Sequence, residues 1–178
     1  MAPRLRKFTL AVHLTCSVGW LGAVITYLTL DMTVATSGDP QLVRAAWMAM
    51  GQVTPSAIVP LALASLLTGL VISLGTKWGL LRHWWVLISL LMTVVAVLVL
   101  LLEAGVISAI AQIASDPATS TDELLALPDT LLHSVGGLLI LLVVQVLNVY
   151  KPQGLTPYGW RKQEEERMRR DHLAVGAR

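Results

Sequence analysis

The sequence predicts an all-α polytopic membrane protein, a four-transmembrane-helix bundle, and three observations carry that prediction. The 178-residue chain is 55% apolar and only 13% charged, too hydrophobic for an ordinary soluble domain. Four stretches are long enough to cross a bilayer and contain no Asp, Glu, Lys or Arg. The charges that remain cluster at the ends of those stretches, as they do in membrane loops. Beyond four spans and their connections, no separate soluble enzyme domain is expected in these 178 residues. Its single cysteine, Cys16, excludes an intramolecular disulfide framework and a multi-cysteine metal cage.

A span requires about 20 mainly apolar residues because lipid offers no partner to a backbone N–H or C=O. The spans fall at about 8–30, 54–74, 84–102 and 131–150, within one transmembrane domain of residues 1–150. The first follows Arg4, Arg6 and Lys7 as a signal peptide would. Its apolar run exceeds the roughly 7 to 15 residues of a signal core, so it is expected to be retained. Of the basic residues, all but Arg44 fall on one side: Arg4, Arg6, Lys7, Lys77, Arg82, Lys151 and those of the tail through Arg178. The other side holds Asp31, Asp39, Glu103, Asp116, Asp122, Glu123 and Asp129. The positive-inside rule then places both termini in the cytoplasm.

The connections have structure of their own. Asp39-Pro40 is a cap followed by proline at a first helical position, and Leu42, Val43, Ala46, Trp47 and Met50 recur at helical spacing. A short amphipathic helix is expected in this first outer loop, either separate or running into the second span, which Pro55 and Pro60 would kink. Residues 104–115 are apolar but too short to cross, hence either an outward extension of the third helix or an interfacial segment. Residues 116–129 read as a polar loop. Residues 151–178 form a cytoplasmic segment in which turn formers and the interfacial pair Tyr158 and Trp160 precede a solvated, charged helix. There is no phosphate-binding glycine loop, zinc-helix histidine pair or nucleophile elbow, and no nucleic-acid partner is expected.

Polar groups inside the spans carry the functional expectations. At 100° per residue, His13, Ser17, Trp20, Val24, Tyr27 and Asp31 fall within about 40° of one line, a stripe that should face the bundle interior. It reads either as a hydrogen-bonded packing seam or as the wall of a channel or cofactor site. In the third span Trp85, Ser89, Met92, Ala96 and Glu103 share one side, whereas His83 projects nearly opposite, beside Arg82 at the interface. His133 lies one turn from Gly136 and Gly137, where a backbone or a flat ligand can approach. Gln145 and Asn148 read as interhelical glue, and Ser65 and Gly69 as a close-packing pair.

His13 lies about five residues from the inner end of its helix and His133 only two or three from the outer end of its own, a separation of roughly 20 Å. They cannot share one ion, so two sites are expected. The inner one combines His13, Trp20 and His83 near Arg6, Lys7 and Arg82, and offers an imidazole, a slot of small and aromatic residues, and cations for propionates, the ingredients of a haem b site. The outer one gathers Tyr27, Asp31, Glu103 and His133, with Met48 and Met50 nearby. Carboxylates with imidazole suit a harder divalent ion or a proton relay, and thioethers suit Cu(I). The candidate metal ligands are therefore His13, His133, Glu103 and Asp31.

The opening His13, six residues, Trp20-Leu21-Gly22 resembles the first helix of the CopD-type and HemJ-type bacterial membrane proteins, associated with copper handling and with haem-dependent protoporphyrinogen oxidation respectively. The segments 60–69, 75–86 and 150–163 together resemble small actinobacterial integral membrane proteins with no assigned activity. The likeness extends from His13 to Gln163. What it implies is a four-helix fold in a bacterial cell (inner) membrane and a haem-linked role for His13. The basic residue that oxidase-type proteins carry inside a later helix has no counterpart in the third span, whose nearest polar side chain is Ser89. The first functional expectation is a redox-cofactor protein that passes electrons within or across the membrane. A second is copper or proton transport past Tyr27, Asp31, Glu103 and His133. A third is a noncatalytic subunit or assembly factor. The surroundings are the lipid bilayer, and the chain can stand in a homo-oligomer or a larger membrane complex.

Overall fold

The computed structural model describes residues 2–76 and 79–176; Lys77 and Arg178, two of the basic residues counted above, lie outside the described residues. The described chain forms α1 (Pro3–Thr36), α2 (Pro40–Val53), α3 (Val59–Gly75), α4 (Trp84–Ser115), α5 (Thr121–Leu125), α6 (Leu131–Tyr150) and α7 (Pro157–Gly176). Four stretches are long and apolar enough to cross a membrane: α1, α2 joined to α3, α4, and α6. The chain is a multi-pass helical membrane protein.

The second spanning stretch is not one regular helix. Asp39 caps its start by accepting from the Gln41 N–H at 2.9 Å, with Pro40 in the first turn where a missing N–H costs nothing. Further on, Pro55 and Pro60 supply no N–H, and the chain continues through a wider π-helical turn, Thr54–Ile58, in which the Val59 N–H reaches back to the Thr54 carbonyl. The Thr54 and Ser56 hydroxyls donate to the Met50 and Gln52 carbonyls at 2.8 and 2.6 Å, so carbonyls near the prolines keep partners. Of the two readings open for the loop helix, the continuous one holds. Likewise residues 104–115 continue α4 without a break. The loop after it contains one helical turn, α5, capped by the Ser120 hydroxyl on the Glu123 N–H at 3.2 Å.

Lengths explain where the core sits. The three longer stretches have 34, 36 and 32 residues, about 51, 54 and 48 Å at 1.5 Å per residue, against roughly 30 Å of hydrocarbon. At 20 residues α6 is just long enough to cross. Asp31 of α1 and Glu103 of α4 meet the first turn of α6, so the surplus of α4 and all of α2 extend beyond it at that end. The surplus packs on itself. Val43, Trp47 and Met50 of α2 bury against Ile107, Ile110 and Ala114 of α4 and against Leu124 of α5. Gly51 permits this approach, since a Cβ there would collide with that of Ala111. Arg44, the lone basic residue expected on its side, donates to the carbonyls of Ala114, Asp116 and Thr119, the last two at 2.7 and 3.1 Å. It thereby satisfies acceptors that the end of α4 leaves without helical partners.

At the opposite end α6 stops at Lys151, in a left-handed conformation with φ of 45°. Residues 151–156 turn back along the start of α4: Trp84 N–H donates to Gly154 O at 3.2 Å and Thr156 N–H to Arg82 O at 3.0 Å. The Thr156 hydroxyl adds a 2.5 Å bond to Leu81 O. Gly159 lets α7 pass close to the backbone just before α4, because a Cβ at that position would run into the Arg82 carbonyl. From Arg161 to Leu173 α7 is exposed and mainly polar, tied by an Arg82–Glu166 ion pair of 3.0 Å.

Candidate functional site

The stripe on α1 faces the interior and divides it in two. Trp20, Val24, Tyr27 and Asp31 are buried, and Trp20 together with Leu141 of α6 borders a cavity on either side. The larger cavity, about 740 Å³, lies at the end carrying Arg6, Lys7 and Lys151. The smaller, about 210 Å³, lies at the end carrying Glu103 and His133.

In the larger cavity, His13 is held by α3. Its Nδ1 lies 3.0 Å from the Ser65 carbonyl oxygen and 3.0 Å from the Thr68 hydroxyl. A carbonyl only accepts, so Nδ1 carries the proton. The Thr68 hydroxyl spends its own proton on Ala64 O at 2.6 Å and therefore accepts from the imidazole too. The neutral ring in this tautomer keeps its lone pair on Nε2, the arrangement a backbone carbonyl imposes on metal-binding histidines. Gly69 makes the room: a Cβ there would lie 3.1 Å from His13 Cε1. The neighbouring Ser17 and Ser65 hydroxyls are 2.7 Å apart and lock the same pair of helices.

Across the cavity from α1 and α3 stand Trp85 and Ser89 of α4 and Gln145 and Asn148 of α6. The Ser89 residue is only 6% exposed, and its hydroxyl has no hydrogen-bond partner. Its oxygen has no accessible surface of its own, so it is a buried polar group behind the cavity wall. Gln145 and Asn148, expected as interhelical glue, line this space. His83 does not. It precedes α4, pairs with Leu155 in an isolated bridge, and its ring centroid is 6.4 Å from that of Trp85. Arg82 is likewise turned to Glu166 and away from the cavity.

At the other end the four residues expected together separate into two groups. Asp31 is 0% exposed. One carboxylate oxygen accepts from the Thr130 N–H at 3.0 Å, and the other accepts from the Thr130 and Ser134 hydroxyls at 3.0 and 2.7 Å. Since the Thr130 proton goes to Asp31, the Tyr27 hydroxyl donates to Thr130 Oγ1 at 2.8 Å. Asp31 thus supplies the start of α6 with an acceptor and a negative charge from another helix, which suits the helix dipole. Its oxygens are occupied by the protein itself. Glu103 and His133 form the second group, with Oε1 and Nε2 3.4 Å apart and the histidine side chain half-exposed. Met50 is fully buried in the core and Met48 is exposed, so neither joins them. Among the described residues, no three His, Cys, Asp or Glu side chains converge as ligands for one bare ion.

Thr68 was missed by sequence reasoning, and Ser65 and Gly69, read there as a close-packing pair, were not connected with His13, which all three serve. Their three- and four-residue spacing on α3 was the available signal. No family model, curated protein or solved structure matches the chain. The likeness to CopD-type and HemJ-type proteins therefore rests on the residues quoted for it and brings no ligand with it.

Proposed function

We propose that the protein is an electron-transfer subunit of the bacterial inner membrane, with both termini cytoplasmic, that holds haem b in the 740 Å³ cavity. One observation carries the reading: the single imidazole in that cavity is fixed by a backbone carbonyl in the tautomer that leaves Nε2 for iron. A porphyrin brings four of its own nitrogens, so one protein ligand suffices, whereas a bare copper or zinc ion would need several. The volume falls in the range of roughly 300–1,000 Å³ usual for cofactor sites.

Each group has a stated task. His13 ligates through Nε2. Ser65 and Thr68 hold its ring, and Gly69 gives it space. Arg6, Lys7 and Lys151 stand at the rim and neutralise propionates, as inward-facing cations would under the positive-inside rule. Trp20 closes the deep wall. When bound, haem b supplies one-electron redox chemistry. His83 is not required.

The test is the absorption spectrum of the full chain, purified in mild detergent or reconstituted with haemin. The wild type shows a Soret band that shifts on reduction, and His13→Ala loses it while His83→Ala keeps it. A colourless protein that takes up no haemin, or a Soret band undiminished in His13→Ala, overturns the reading.

A further inference from the structure

The smaller cavity plays no part in holding haem and has a chemistry of its own. Its volume is about 210 Å³. An engineered apolar cavity of about 150 Å³ stays dry and binds benzene, so the space here is right for one substituted aromatic ring and far too small for a macrocycle. Val24, Ile58, Leu100 and Ile107 give it hydrocarbon walls. Gly136 and Gly137 border it where an added Cβ would meet nothing within 4 Å.

Most polar groups in the wall are already committed. The Tyr27 hydroxyl donates to Thr130, and the Thr130 and Ser134 hydroxyls donate to Asp31. Glu103 and His133 remain. Their 3.4 Å separation is longer than the roughly 2.7–2.9 Å of a charge-assisted hydrogen bond, so neither is saturated by the other. A carboxylate can only accept, and its complement is a ligand O–H. The rim carries the exposed apolar side chains Leu132 and Val99, so a ligand arrives from an apolar phase and not from water.

We infer that this cavity binds a one-ring aromatic alcohol of the hydroquinone class, taken from the membrane, with its hydroxyl donated to Glu103 beside His133 and its ring lodged against Gly137 and Trp20. The site shares only the Trp20 and Leu141 wall with the haem cavity and needs none of the groups that hold iron.

Tetramethylhydroquinone is titrated anaerobically into the full chain in nanodiscs, with binding followed by calorimetry. Saturable binding is expected. The dimethyl ether of the same ring, which lacks the O–H, is expected to bind about tenfold more weakly, the worth of one hydrogen bond to a charged acceptor. Gly137→Leu fills the cavity and abolishes binding, whereas Gly22→Leu, which also extends into open space but outside this cavity, leaves it intact. Equal binding of diol and ether reveals an unspecific apolar hole and overturns the proposal, as does the absence of saturable binding in the wild type. The diol-to-ether comparison uses wild-type protein alone, so it decides even where Gly137→Leu fails to fold. Binding that survives in His13→Ala supports this site independently of the haem reading, and binding lost there contradicts its separateness.

Discussion

Gly69→Ala tests whether the imidazole of His13 is held for a ligand or merely packed. The added Cβ would lie 3.1 Å from His13 Cε1, 3.6 Å from Nδ1 and 3.8 Å from Nε2. Carbon atoms rest at about 3.5–4.0 Å, so the ring must retreat by about 0.4 Å or more. Movement of that size along its hydrogen bonds stretches them from 3.0 Å toward about 3.4 Å, beyond good geometry. Disturbing the partner that orients a metal-binding histidine typically costs 10- to 100-fold in affinity, so haem dissociation should rise by about that factor. Stability should not fall with it, because alanine in place of a helical glycine gains up to about 1 kcal/mol and offsets the local strain. The assay is a haemin titration monitored at the Soret band, paired with thermal unfolding of the same samples. Gly22→Ala, whose Cβ meets open space, is the control. An affinity in Gly69→Ala equal to that of the wild type would refute the assignment of His13 as ligand.

Removing the buried acceptor in Asp31→Ala should destabilise the protein by about 2–4 kcal/mol, since Ser134 can turn back to Leu131 O but the Thr130 N–H and a buried void are left uncompensated. Unfolding in mixed micelles measures it, and a change under about 0.5 kcal/mol contradicts the network. Arg44→Met removes the donor to three carbonyls and should cost about 1–3 kcal/mol, with faster amide exchange over the last turn of α4; unchanged exchange there would show that Arg44 is not its cap. For the orientation, a Cys16→Ser background carrying Ala118→Cys should react with an impermeant maleimide on intact cells, and one carrying Gln163→Cys should not. The reverse pattern would invert the proposed topology.

The spans were legible because an uncharged apolar run is a demand of the solvent, not of a partner. The α1 stripe was legible for a related reason: helical periodicity puts His13, Ser17, Trp20 and Tyr27 on one line whatever they touch. The π-helical turn was half legible. Pro55 and Pro60 announce a disturbance, but whether the helix stops or widens depends on hydroxyls at Thr54 and Ser56 finding carbonyls. The partners of His13 were not legible, since the contact with α3 spans 52 residues of sequence and depends on the helix pairing. Whether His83 turns inward beside His13 was not legible for the same kind of reason. The strap at 151–156 returns to cover the start of α4 and occupies the ground beside it, and no local pattern announces that return.

The shared wall bears on the choice between redox and transport. An ion crossing the bundle would need a polar partner at every step, because each desolvated position costs several kcal/mol. Between the His13 cavity and the Glu103–His133 cavity stand the Trp20 indole and Leu141, both buried in the core cluster with Val24, Tyr27 and Ile58. Those two side chains offer a cation no carboxylate, imidazole or hydroxyl, while an electron needs no opening at all. A cofactor on one side and an aromatic alcohol on the other would be separated by the wall that Trp20 and Leu141 share. Proteoliposomes of the wild type should therefore pass neither copper nor protons faster than protein-free vesicles do. A flux that is present in the wild type and falls in Glu103→Gln would show a continuous path through the partition, and the electron-transfer reading would give way to transport.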